Sequence, residues 1–152
     1  MAELFTKDWA EEVRNAINSF PDPEYRATKL DLFWNWIDVA RKGVNGVWAL
    51  GVKDLPSSGN GSRKPAYACF TISDGQATGV EIADEPPEDA LYVLTGRYEV
   101  WSDIVNGFDA GKAVMYRRLR LEQGDVFRFF NRVYLFTESL VALSKVPATL
   151  PA

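Results

Sequence analysis

Residues 90–125, ALYVLTGRYEVWSDIVNGFDAGKAVMYRRLRLEQGD, pass from strand period to helix period and back within 36 positions, and the fold can be read outward from them. Ala90–Tyr98 is dense in branched and aromatic residues and reads as a strand. Glu99–Asn106 then places Trp101, Ile104 and Val105 on one helical face and stops at Gly107, so it reads as a short helix. Asp109 is a good N-cap, and Asp109–Tyr116 follows as a second short helix. Arg118–Glu122 returns to the strand period, and Gly124-Asp125 makes a turn.

Upstream, Trp9, Val13, Ile17 and Phe20 recur at spacings of four, four and three, which predicts a helix over Thr6–Phe20 capped by Thr6. Asp22-Pro23 is a cap followed by a first-position proline, opening a second helix from Pro23 to about Arg41. Leu30, Phe33, Trp34 and Ile37 form its apolar face. Val47–Val52 is a strand. Pro56–Pro65 reads as an exposed, mobile Ser- and Gly-rich loop. Ala66–Ile72 and Gln76–Ile82 flank Ser73-Asp74-Gly75, a tight hairpin signal. Downstream, Asp125 to about Lys145 is the longest helical pattern, with a break expected near Tyr134–Thr137 and a stop at Pro147.

The order is therefore two helices, four strands, two short helices, one strand and a helical end. Strands and helices in separate runs indicate an α+β fold, and no repeat or linker divides residues 1–152, so one domain is expected.

Composition removes several functions. The chain of 152 residues has no histidine and one cysteine. Histidine-based triads and Cys–His pairs are impossible, and a typical zinc site lacks its ligands. Cys69 alone cannot form an intramolecular disulfide, which suits a reducing compartment. Met1–Trp9 carries Glu3, Lys7 and Asp8 and no apolar core of a signal peptide, and no apolar run approaches a membrane span. A cytoplasmic protein without stable membrane insertion is expected. The net charge of -4 argues against general nucleic-acid binding. One local exception is the basic run of Lys112, Arg117, Arg118, Arg120, Arg128 and Arg132 against Glu122 and Asp125. It reads either as a solvated face or as a place for transient contact with an anionic headgroup or membrane surface. The acidic groups Asp84-Glu85 with Glu88-Asp89, Glu11-Glu12, and Asp103 with Asp109 read as solvated charge. No motif asks for a cofactor.

Aromatic residues make up 13 % of the chain, either filling the core or walling a cavity or partner surface. Alternation puts Phe70 and Ile72 on one face of their strand and Cys69 and Thr71 on the other. Val80 and Ile82 share a face, as do Tyr92 and Leu94. Met115 is a flexible gap-filler. The C-terminal stretch holds more apolar residues than one helix stripe can bury, Phe127, Phe130 and Tyr134 among them. These excess groups meet a deeper core, a homodimer interface or a small-molecule tunnel.

The stretch Ala90–Asp125 resembles the sterol carrier protein two (sterol-binding domain) family: a strand ending Thr95-Gly96, a helix bearing Trp101, a glycine, an acid-capped helix, a basic strand and a Gly-Asp turn. Trp9, Asp22-Pro23-Glu24-Tyr25 and the Ser73-Asp74-Gly75 hairpin are similar to family features, and the resemblance spans about Asp8 to Val146. Two departures concern one end of the cavity: Val44 stands where the family commonly has a Trp, and Lys29–Lys42 is longer than its counterpart. The resemblance implies a five-stranded, mainly antiparallel sheet with helices on one face and an apolar tunnel between them. It also implies binding or transport of a lipid, fatty acyl or sterol-like molecule without chemistry. The expected ligand contacts are Phe70, Ile72, Val80, Ile82, Leu94, Trp101, Ile104, Val105, Met115, Phe127, Phe130 and Tyr134. Two other readings stay open: a homodimeric scaffold module, and an accessory enzyme using carboxylates or Tyr on a lipophilic metabolite.

Overall fold

A computed structural model describes residues 2–19, 21–57, 61–131 and 133–151, with the side chains of residues 57, 133 and 134 left aside. In chain order the elements are β1 (Ala2–Glu3), α1 (Lys7–Ser19), α2 (Pro23–Arg26), α3 (Asp31–Arg41), β2 (Gly46–Ser57), β3 (Ser62–Ser73), β4 (Gln76–Ala83) and β5 (Tyr92–Gly96). Then come α4 (Tyr98–Val105), α5 (Ala110–Met115), β6 (Arg120–Gln123), α6 (Val126–Asn131), α7 (Val133–Val141), a 3-10 turn (Ala142–Lys145) and β7 (Ala148–Thr149). Five strands form the main sheet in the order β4-β3-β2-β5-β6. Every pairing in it is antiparallel except β2 with β5. This matches the expected α+β sheet.

The caps explain where helices begin. The Thr6 hydroxyl accepts from the Trp9 amide, Asp22 from Tyr25, Asp109 from Lys112, and Asp125 from Phe127 and Arg128. The hairpin between β3 and β4 turns on Asp74 and Gly75, both at positive φ (48° and 77°). Two such residues give the primed turn whose twist matches the strands. Helix α1 buries Trp9, Ala10, Val13 and Ile17 and is tied to the edge strand β4. Its Asn18 side chain donates to the Ala77 carbonyl and accepts from the Ala77 amide, imitating a strand partner, and Lys7 donates to the Val80 carbonyl. The edge is thereby covered instead of left to pair with another chain.

Three expected elements differ. The helix expected from Pro23 to Arg41 is two helices separated by Ala27–Leu30. The Trp34 indole donates to the Arg26 carbonyl, the Thr28 hydroxyl donates to the Tyr25 carbonyl, and Leu30 is extended. Carbonyls that a continuous helix would use are taken by side chains. The expected loop Pro56–Pro65 is largely hairpin: β2 runs to Ser57 and β3 starts at Ser62, with a register shift between Val52 and Leu55, while residues 58–60 lie outside the described ones. At the C-terminus the break expected near Tyr134–Thr137 is not there: Val133–Val141 is helical throughout as α7, following α6 at Val126–Asn131, with residue 132 outside the described ones.

The main core lies between the sheet and the helices. Trp48, Leu50, Val52, Ala68, Phe70, Ile72, Val80, Tyr92 and Leu94 all point into it, as period-two alternation requires. A thin second cluster of Ala49, Cys69, Ala90 and Val93 occupies the other face. There Tyr67 lies over Gly51: a Cβ at Gly51 would stand 2.5 Å from the Tyr67 ring and 3.0 Å from the Thr95 methyl. The carbonyl of Gly51 accepts from the Trp101 indole at 2.8 Å, which locks α4 to β2.

Candidate ligand-binding site

Register brings three rings into one row. Phe70, Trp48 and Tyr92 are direct partners across β3, β2 and β5, and Leu50 pairs with Leu94 in the next row on the same face. Helices α6 and α7 lay a second aromatic layer on this row. Phe136 sits 4.5 Å from Trp48 and 4.8 Å from Tyr92 between ring centroids, and it stacks on Phe129 at 4.8 Å with 12° between planes. Phe129 also meets Tyr92 edge-on at 5.4 Å. Each such pair adds about 0.5–1.5 kcal/mol beyond its buried area.

Between the layers is a void of about 30 Å³. Ile17, Leu50, Leu94 and Leu140 complete its apolar wall with the five rings, and Ala49 and Ser139 border it as well. No carboxylate is among these residues, and the Ser139 hydroxyl donates to the Leu135 carbonyl. The Trp48 indole nitrogen is buried with no acceptor among the described residues. A water needs roughly 10–15 Å³ and a ligand pocket roughly 300 Å³ or more, so this space admits a water or two and no hydrocarbon chain. The expected open tunnel is thus shut, because Phe129 and Phe136 close onto the sheet.

A groove adjoins this void. A surface groove of about 530 Å³ lies between α5, β6 and α6, and Leu94 and Phe129 line both it and the void. Phe129 is 2 % exposed. The groove's other walls include Val114, Met115, Leu121, Val126 and Phe130, with Arg117, Arg120 and Glu122 at its polar side.

On the outer side of α7 is a polar chamber of about 360 Å³, and Leu140 lines both it and the void. Here the Tyr25 hydroxyl donates to Glu138 Oε2 at 2.8 Å, and Lys29 Nζ is 3.9 Å from Oε1. Burial holds the Glu138 carboxyl above its usual range, against the opposing pull of the Tyr25 hydrogen bond and Lys29. Burial, then the bond to Glu138, raises Tyr25 as well. The pair tethers α2 to α7 across 113 residues of sequence.

The expected contact residues divide into groups. Phe70 and Leu94 line the void. Ile72 and Val80 are buried on the same core side, and Ile82 packs there half-buried, none of them on the void wall. Trp101 is solid core, held by Gly51 and edge-on to Phe5 at 5.6 Å. Ile104 borders the polar chamber instead, and Val105 is half-buried beside the core. Met115 is 66 % and Phe127 83 % exposed, so neither sits in an interior cavity, and Phe130 stands at the groove's outer edge. The side chain of Tyr134 lies outside the described residues. The inner set is Phe129, Phe136 and Leu140, at spacings of seven and four, a helical stripe adjacent to the expected one of Phe127 and Phe130. Trp48, Leu50 and Ile17 were also absent from the expected set, and only the register of β2 with β5 reveals Trp48 as its centre.

Two solved structures superpose on this arrangement. The crystal structure of a sterol carrier protein 2 matches with a TM-score of 0.72 at 20 % identity, over 95 % of this chain and 100 % of that one. The chain has the sterol carrier protein 2 fold. A conserved hypothetical protein of Thermus thermophilus, described in solution and suggested to be a sterol carrier protein, matches this sterol-carrier fold with a TM-score of 0.69. It is 19 % identical, over 98 % of this chain and 93 % of that one. No protein-family profile matches the chain, and no curated protein matches it in sequence. At these identities the sterol-carrier likeness is one of fold. Among the described residues no helix is long and apolar enough to cross a membrane.

Proposed function

We propose that this chain binds an elongated apolar small molecule in the seam between the sheet and α6–α7, by displacing Phe129, and does not transform it. The observation that carries the reading is that Phe129, with Leu94, is common to the walls of a groove of about 530 Å³ and a narrow apolar seam. The sterol carrier protein 2 name of the superposed crystal structure is consistent with it.

Energetics favour a guest of some length. Expelling the Phe129 ring costs about 2–3 kcal/mol of burial. Each methylene that enters contributes about 0.8 kcal/mol, so three or four methylenes only offset the ring and further ones add net affinity. One acceptor oxygen on the guest would also satisfy the Trp48 indole, which is buried without a partner among the described residues. Binding without chemistry is the favoured form because the void wall has no carboxylate, and Cys69 lies on the opposite face of the sheet.

The test is competition for a fluorescent apolar probe by straight-chain alcohols of six, ten and fourteen carbons. Affinity is expected to rise steeply with length and to saturate at one guest per chain. Absence of saturable probe binding at micromolar folded protein, or an affinity indifferent to chain length, would remove the proposal.

A further inference from the structure

Five exposed apolar residues lie in the most cationic segment of the chain. Lys112 to Arg132 holds six cations and two acids, a local charge of +4 in a chain of net -4, so the remaining residues carry -8. Within that segment Met115, Tyr116, Val126, Phe127 and Phe130 are all exposed. The groove walls join the two kinds of group, because Met115, Val126 and Phe130 share them with Arg117 and Arg120. Arg117 and Arg120 also border an adjoining cleft with Arg97, Arg118 and Lys53, the last paired to Glu122, where the acids are Asp54 and Glu99. Lys112, Arg117 and Arg128 are exposed and form no ion pair with the described residues, whereas Arg118 is committed to Asp103 at 2.6 Å.

We propose that this face docks on the surface of an anionic lipid bilayer, with Phe127 and Met115 entering the headgroup layer and Lys112, Arg117, Arg120 and Arg128 meeting lipid phosphates and carboxylates. This rests on the proposed carriage of an apolar guest and names the surface with which the site exchanges it. Short apolar segments flanked by cations partition into anionic interfaces by burial and charge together. A second copy of the chain is a poorer occupant, since a two-fold pairing of this face sets +4 against +4. The other exposed apolar stretch, Leu30, Leu32 and Trp36, has a single cation on its wall, Lys29, with exposed Asp31 and Asp38 on the same helix, so it lacks the cluster of cations found here. Docked in this way, the groove mouth faces the bilayer, so a hydrocarbon passes Phe129 without crossing water.

Co-sedimentation with vesicles tests it, comparing phosphatidylcholine alone with phosphatidylcholine containing about 30 % phosphatidylserine, at low and high salt. Binding is expected to the anionic vesicles only and to fade at high salt. Phe127→Ser is expected to weaken it about tenfold and Arg128→Gln about fivefold. Neither residue lines the groove or the void, so both variants should bind the apolar probe in vesicle-free solution as the parent does. Equal partition onto both vesicles, or none while probe binding is intact, overturns the docking inference and leaves carriage standing. Vesicle binding with no probe binding supports docking and removes carriage. Light scattering adds one further outcome: concentration-dependent dimers abolished by Phe127→Ser, without vesicle binding, would assign the face to a second copy and overturn the inference.

Discussion

Phe129→Ala separates a door from a piece of core. The ring is 2 % exposed, stacks on Phe136, and meets Tyr92 and Phe130 edge-on, each at 5.4 Å. Removing a buried phenyl costs about 3–5 kcal/mol in general. The lower end applies here, because the groove of about 530 Å³ already adjoins the ring and six-residue α6 can settle toward the sheet. At roughly 3 kcal/mol, and with domain stabilities of about 5–15 kcal/mol, the variant stays folded. Its melting temperature should fall by roughly 6–12 °C. The same truncation joins groove and void, so it abolishes the cost of opening, about 2–3 kcal/mol. Stopped-flow mixing with the apolar probe should then show association at least about tenfold faster than in the parent. Phe136→Ala, which removes a ring of equal size from the inner layer, should destabilise without that acceleration. If Phe129→Ala melts earlier but takes up probe no faster, the ring is ordinary core and the gating argument is wrong.

Three further expectations follow from single residues. Because burial raises the Glu138 carboxyl above its unfolded value, the native state holds the extra proton between the two. Stability should therefore decline as pH rises from about 4.5 through the folded value, and Glu138→Gln should flatten that slope in melting curves taken from about pH 4 to 7. The Cys69 thiol, buried and pushed up to about 11, should react with a thiol reagent near neutral pH only slowly in the native protein and at once in denaturant. Rapid native labelling would contradict its placement on the sheet's thin second core. Gly51→Ala should destabilise by about 1–3 kcal/mol in urea melts, since the added methyl would press on Tyr67 and Thr95 beside the Trp101 hydrogen bond. A neutral result would mean that Tyr67 swings clear.

Local signals carried far in this chain. Alternation assigned the core side of β3, β4 and β5 correctly, because a strand's faces follow from a period of two whatever it packs against. Thr6, Asp22 and Asp109 were legible as caps because the cap and its helix lie within one turn. Asp74-Gly75 was legible as a turn because few residues tolerate positive φ. The basic, aromatic run after Lys112 was visible as composition, although its grouping around one groove was not.

What the amino-acid order determined by itself is the α+β class, most element positions and the exclusion of histidine chemistry, since each depends on neighbours in sequence or on a residue type that is absent. Tertiary structure decided the rest. It divided the helix after Pro23 through a Trp34 bond to Arg26, and it turned the stripe of Phe129, Phe136 and Leu140 toward the sheet in place of Phe127 and Phe130. It also closed the tunnel. A void's volume is the small difference between the space that strands and helices enclose and the rings that enter it. Those rings come from β2, β3, β5, α6 and α7, and only their three-dimensional meeting fixes how much room is left.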